Sequence, residues 1–293
     1  MKKTLLLALL PLLYACTEDI DIQSRSDYHE YLSVQAVLTD QPDRPQQVVL
    51  SRSISYFQNE TQPMVKGASV KVNDTVFSET ADGVYVAPLG FCCKADETYH
   101  LKIGLPDGEE YSAEARMPES GFEMEGIDYA WAGGKTMDND SLWTIGLWGI
   151  KKELESYYMV IHAVNGLYEP FENVLVSDDT FFSSREIAAF PIEPLYQTAD
   201  NRKQYGDCYK YLEEGDVITL EIWTLDRGFE KYLGAMTTSE VSVPLFSPQP
   251  ANTPTNIFGD QVMGYFAVCS VASASVVVDD PFRPYYKRAV PPL

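Results

Sequence analysis

The sequence is short of positive charge: 22 Lys and Arg stand against 43 Asp and Glu, a formal net charge of −21. A field of that sign repels a phosphate backbone, which excludes nucleic acid as a partner. Histidine is scarcer still, with only His29, His100 and His162, far apart along the chain. His29-Glu30 fails the His-Glu-x-x-His zinc signature because Ser33 stands where the second His belongs. A Gly-x-Ser-x-Gly elbow, a phosphate loop ending in Gly-Lys-Ser/Thr and a Cys-x-x-Cys pair are all missing. The chain therefore offers no signature of an enzyme, a cofactor or a metal centre, and its carboxylates are so numerous that any two could pair by chance. After residue 13, no stretch approaches the roughly 18 uninterrupted apolar residues of a spanning helix.

What is present begins at the N-terminus. Met1-Lys2-Lys3 is a short basic region, Thr4 to Leu13 is apolar, and Leu13-Tyr14-Ala15-Cys16 closes the run with a small residue directly before a cysteine. This order predicts an export signal over 1–15 that is cleaved. Leu-x-Ala-Cys resembles the bacterial lipobox, which makes Cys16 the lipidated first residue of the mature chain. Acyl chains contribute about 0.8 kcal/mol per buried methylene, so several of them form a lasting membrane anchor. Thr17-Glu18-Asp19-Ile20-Asp21 follows, in an acidic tether over 16–27. The acidic cluster resembles the surface-export signal of lipoproteins of the Bacteroidetes type.

The rest, 45% hydrophobic and 12% aromatic across the whole chain, holds ample material for a core. Its length predicts two domains, both mainly β. Residues 28–118 read as short alternating strands joined by turns such as Leu105-Pro106-Asp107-Gly108, which predicts a hairpin and a β-sandwich of immunoglobulin-like or prealbumin-like type. Arg116 to Gly121 breaks the pattern. A second β-rich domain is expected over 122–280, with strands at 127–131, 142–149, 157–164, 217–225 and 262–278, followed by a tail over 281–293. Phe229, Tyr232, Leu233 and Met236 recur at helical spacing behind Asp226, predicting one short helix with that Asp as its N-cap. Four prolines between Pro244 and Pro254 predict a long loop.

Several segments together resemble one family. They are Cys16-Thr17-Glu18, Val37 to Asp40, Val49 to Ser53, Tyr56-Phe57, Gly67 to Val72, Gly83 to Tyr85, Met117-Pro118, the region around Phe229 to Leu233, Pro250 to Ile257 and Gly264 to Phe266. The family is that of Bacteroidetes lipoproteins carrying the domain of unknown function DUF4249, and the resemblance runs from the tether to about Val278. Its members are typically encoded beside TonB-dependent outer-membrane transporters, so the resemblance implies an accessory lipoprotein of such a transporter. The family brings no catalytic residue to carry over.

Individual residues give four further expectations. Tyr129, Trp131, Trp143 and Trp148 form an aromatic group suited either to core packing or to a ligand or partner platform; Trp143 and Trp148, an odd number of residues apart, cannot share a face of a regular strand. Beyond Cys16, the thiols Cys92, Cys93, Cys208 and Cys269 allow three pairings. A bridge from Cys208 or Cys269 to one of the adjacent pair competes with free buried thiols. Asp74-Thr75-Val76 and Asp140-Ser141-Leu142 match a short sequon resembling one for O-glycosylation at Thr75 and Ser141, in exposed turns. Asp138-Asn139-Asp140 lacks the Gly and Glu of an EF-hand, leaving a loop calcium on Asp138, Asp140, Asp178 and Asp179 to weigh against a solvated acidic loop. The expected function is thus a non-enzymatic, outer-membrane lipoprotein facing the cell exterior, without cofactor, that captures ligand or gates entry for a TonB-dependent transporter. The alternative is an adhesive or structural surface protein that binds host or matrix material.

Overall fold

Successive side chains of an extended chain fall on opposite faces, so strict alternation of apolar and polar residues sets the first strands. These are β1 (Leu32–Thr39), β2 (Gln47–Arg52), β3 (Ser69–Val72), β4 (Thr75–Ala81), β5 (Val84–Val86), β6 (Thr98–Gly104) and β7 (Glu110–Arg116). The structure, a computed structural model, describes residues 30–53, 62–135, 141–152, 156–168, 174–178, 190–192, 212–240 and 253–287. β6 and β7 form the expected hairpin, closed by Gly108 at a φ of 96°, whose amide donates to the Leu105 carbonyl at 3.0 Å.

The second half contains β8 (Phe122–Lys135), β9 (Ser141–Lys151), β10 (Tyr157–Val164), β11 (Leu167–Tyr168), β12 (Leu175–Ser177), β13 (Phe190–Ile192), β14 (Val217–Leu225), the helix α1 (Arg227–Glu240), β15 (Ile257–Phe258) and β16 (Val262–Val277). Each strand expected there matches one of these, the last running one residue past the end of β16. The helix starts where the sequence predicts: Asp226 Oδ1 accepts the amides of Gly228 and Phe229 at 2.7 and 3.0 Å. Phe229 and Leu233 are its buried face.

Thirteen strands make one sheet, in the order β11-β10-β14-β16-β1-β2-β5-β4-β3-β6-β7-β15, with β12 also paired to β10; a second sheet has the order β13-β9-β8. Two strands turn corners in the large sheet. β4 pairs with β3 through residues 75–77 and, beyond a change of partner, with β5 around a bulge at Glu79 to Ala81. β16 lies parallel to β1 through residues 262–269 and antiparallel to β14 through residues 270–277. Where β1 ends, Asp40 takes its place beside β16, accepting from Ser270 Oγ at 2.8 Å and the Val271 amide at 3.0 Å.

Three cores result. The first is the expected sandwich interior, in which Leu32, Val34, Leu38 and Leu50 meet Leu101, Ile103 and Tyr111. In the second, Ile127, Tyr129, Trp143, Ile145 and Leu147 of the small sheet pack on Val160, Ile218, Leu220 and Ile222. The third lies on the opposite face of the same strands, where Phe229 and Leu233 of α1 cover Met159, Trp223, Leu225, Tyr265 and Cys269. The cores do not divide simply at the expected boundary between residues 118 and 122. Phe266 and Val268 of β16 belong to the sandwich core, Tyr265, Cys269 and Val271 to the helix-covered core, and Ala272, Ala274 and Val276 pack against the second core, under the small sheet. One strand sews both regions together, and from Tyr31 onward the chain is one compact unit.

Candidate functional site

β8 and β9 bring the four aromatic residues together, with Trp131 directly opposite Trp143 in the ladder. Tyr129, Trp143 and Trp148 are buried and Trp131 is half-buried. Tyr129 and Trp143 face the core with Ile145 and Leu147, whereas Trp148 lies on the other side of β9, as the odd spacing requires. They do not form an open platform, because residues 279–287, which include part of the expected C-terminal tail, fold back over them.

The path of this strap is set by hydrogen bonds and charge. The Tyr129 hydroxyl donates to Asp279 Oδ1 at 2.7 Å and accepts the amides of Asp279 and Asp280 at 2.9 and 3.1 Å. Trp143 Nε1 donates to the Pro281 carbonyl at 2.7 Å, and Phe282 meets Trp131 edge-on, ring centroids 5.6 Å apart. Arg283, 3% exposed, then closes the edge of β8: its carbonyl accepts the Trp131 amide at 2.7 Å and its Nη2 donates to the Tyr129 carbonyl at 2.9 Å. The same guanidinium pairs with buried Asp128 and stands 4.3 Å from the Tyr129 ring centroid, a cation–π contact. Asp128 also accepts the amides of Tyr129, at 2.9 Å, and of Lys287. On the outer face Tyr286 packs edge-on to Trp148, and its hydroxyl meets Thr144. Hydrogen bonds from Lys287 and Tyr129 hold the Asp279 carboxyl well below the usual carboxylate range, and burial pushes the Tyr129 hydroxyl up.

A second cluster joins the two regions. Glu221, 4% exposed in the otherwise apolar strand β14, pairs with Arg44 of the β1–β2 loop at 2.6 Å. It also accepts from the Tyr168 hydroxyl at 2.7 Å and from Trp223 Nε1 at 2.8 Å. The Arg44 guanidinium lies 4.8 Å from the Trp223 ring centroid and 5.4 Å from that of Tyr168. Sequence reasoning missed this cluster; its signal was a single acid inside Val217 to Leu225, since a buried charge needs a partner.

The other candidate residues stay apart. Cys92, Cys93 and Cys269 are free thiols, so the bridge considered between Cys269 and the adjacent pair is not formed, and burial pushes the Cys93 thiol up to about 12. His100 pairs with Glu114 on the surface across β6 and β7 at 3.3 Å, and His162 is buried in β10. Thr75 opens β4 after the turn at Asn73, whose φ is 51°, and Ser141 opens β9. Cys16, Cys208, Asp138, Asp140 and Asp179 lie outside the described residues, as does most of the Pro-rich stretch. Among the described residues no three His, Cys, Asp or Glu side chains gather as a metal site. The family model described as a domain of unknown function, DUF4249, matches residues 17–275. No curated protein matches the chain.

Proposed function

This chain belongs to the DUF4249 family, and from that premise we propose that it is a lipid-anchored protein of the outer membrane, facing the cell exterior, that serves a TonB-dependent transporter by binding rather than by catalysis. The observation that carries the reading is the arrangement around Cys16: an apolar run before it, an acidic stretch after it, and a folded unit that begins at Tyr31. The intervening stretch reaches about 50 Å when extended. A body on such a leash stays at high effective concentration over any neighbour in the same membrane. The acidic surface keeps it from lying flat on anionic headgroups. Its partner surface and its ligand would then be presented by the β-built body.

Purification from membranes in mild detergent tests the reading, together with protease added to whole cells. An outer-membrane barrel protein should co-purify, and the added protease should digest the protein. Recovery of the lipoprotein alone, with host or matrix material bound, would favour adhesion. Protection from protease would contradict the outward orientation.

A further inference from the structure

We propose that the outer edge of β8 is a strand-addition site for an extended, non-acidic segment of a partner polypeptide, held shut in this structure by residues 279–287. The large sheet ends on β11 and β15, two residues each, and the small sheet ends on its far side in β13, three residues. Short edges of this kind offer little to an incoming strand. β8 is different: it has 14 residues and, among the described residues, forms a main-chain ladder with β9 alone. A long edge strand is a template for β-augmentation, which is read chiefly through main-chain hydrogen bonds.

The strap covers that edge with this same chemistry. Arg283 satisfies the Trp131 amide with its carbonyl and the Tyr129 carbonyl with its side chain, while Asp128 takes the Tyr129 amide. The seat is imperfect. Arg283 Nε and Nη1 and Trp131 Nε1 are buried without a hydrogen-bond partner, Nη1 standing 3.6 Å from Asp279. Buried donors left unmet are costly, so the strap holds its seat at less than full strength and can be displaced. Much of the strap's remaining grip is on the surface, where Phe282, Tyr285 and Lys287 are all more than half-exposed or close to it.

Charge and shape select the occupant. A second copy of this chain carries the same net charge of −21 and would have to bring a whole body past Phe282, Tyr285 and Tyr286. A single extended segment needs only the roughly 4.8 Å of one strand spacing. Glu123 and Glu125 on β8 are exposed and disfavour an acidic segment.

A fluorescent peptide with the sequence of residues 279–287 is the probe, added to the full chain, to Tyr286→Ala and to Arg283→Ala. The unaltered chain should bind it weakly, because its own strap competes at an effective concentration on the order of millimolar. Both variants should bind it at least about tenfold tighter, that being one decade of the same competition. The Trp131 amide should exchange faster in each variant and be protected again by the peptide. The same peptide with Ala in place of its Arg should bind neither. Tyr286→Ala keeps the buried Asp128–Arg283 pair, so it decides the matter if Arg283→Ala does not fold. A folded Tyr286→Ala chain that excludes the peptide and keeps Trp131 protected would overturn the proposal by making the strap a fixed wall. Dimers of the variants that protect Trp131 without peptide would overturn the choice of occupant.

Discussion

Arg44 does the work that Glu221 requires: a carboxylate at that depth, inside an apolar strand, is tolerable because a guanidinium, a phenol and an indole all meet it. Replacing Arg44 with Ala should destabilise the protein by about 2–3 kcal/mol by urea denaturation, and pairing it with Glu221→Gln should return part of the loss, since the stranded charge is then gone. Gly264 is demanding in a different way. Its φ is 102°, and a Cβ there would overlap the Val34 carbonyl of the parallel partner β1. Gly264→Ala should therefore lower stability by about 2–4 kcal/mol, read from the same denaturation midpoint. The thiols give a third expectation. Cys93 is buried, with its ionisation pushed up to about 12, and Cys269 is fully enclosed and likewise raised. Alkylation at pH 8 of the native protein should spare both and modify them only on unfolding; labelling of either at the rate of a free thiol would refute their burial. None of these demands shows in local sequence, because Arg44 and Glu221, or Gly264 and Val34, are neighbours only through strand pairings that span most of the chain.

At the scale of elements, what could be read in advance was what the chain makes locally. The β6–β7 hairpin follows from Pro-Asp-Gly, the helix from Asp226 and its apolar spacing, and β10 and β14 from alternation and β-branched runs. Tyr129, Trp131, Trp143 and Trp148 were legible as a group, but their cover was not, because residues 279–287 carry no periodic signal and dock through single side chains. The strap's response to acid has a definite sign. Asp279 is held below the ordinary carboxylate range by Lys287 and Tyr129, so its contribution is complete above roughly pH 4, the unfolded value, and declines as the pH falls toward the depressed native one. The Trp131 amide should thus keep its slow hydrogen exchange at neutral pH and lose it below about pH 4, after correction for intrinsic exchange. Loss of protection between pH 6 and 5 would contradict the assignment, since Asp279 remains ionised there.

At the scale of the whole molecule, β16 decides the architecture. Its 16 residues contribute to the sandwich interior, the helix-covered core and the layer under β8 and β9, so neither half completes its core without it. Denaturation should follow one cooperative transition, with tryptophan fluorescence, which reports only on the second half, coincident with exchange of the β6 amides in the first. The break at Arg116 to Gly121 looked like a boundary because it is one locally; the parallel pairing of β1 with β16 leaves no signature near either strand. The body so built is proposed to hang from a lipid at Cys16, and mass spectrometry of the N-terminal peptide from membrane-extracted protein tests that most directly. The expected peptide begins at Cys16 and carries acyl chains; an unmodified Cys16 within a chain that still begins at Met1 would contradict it.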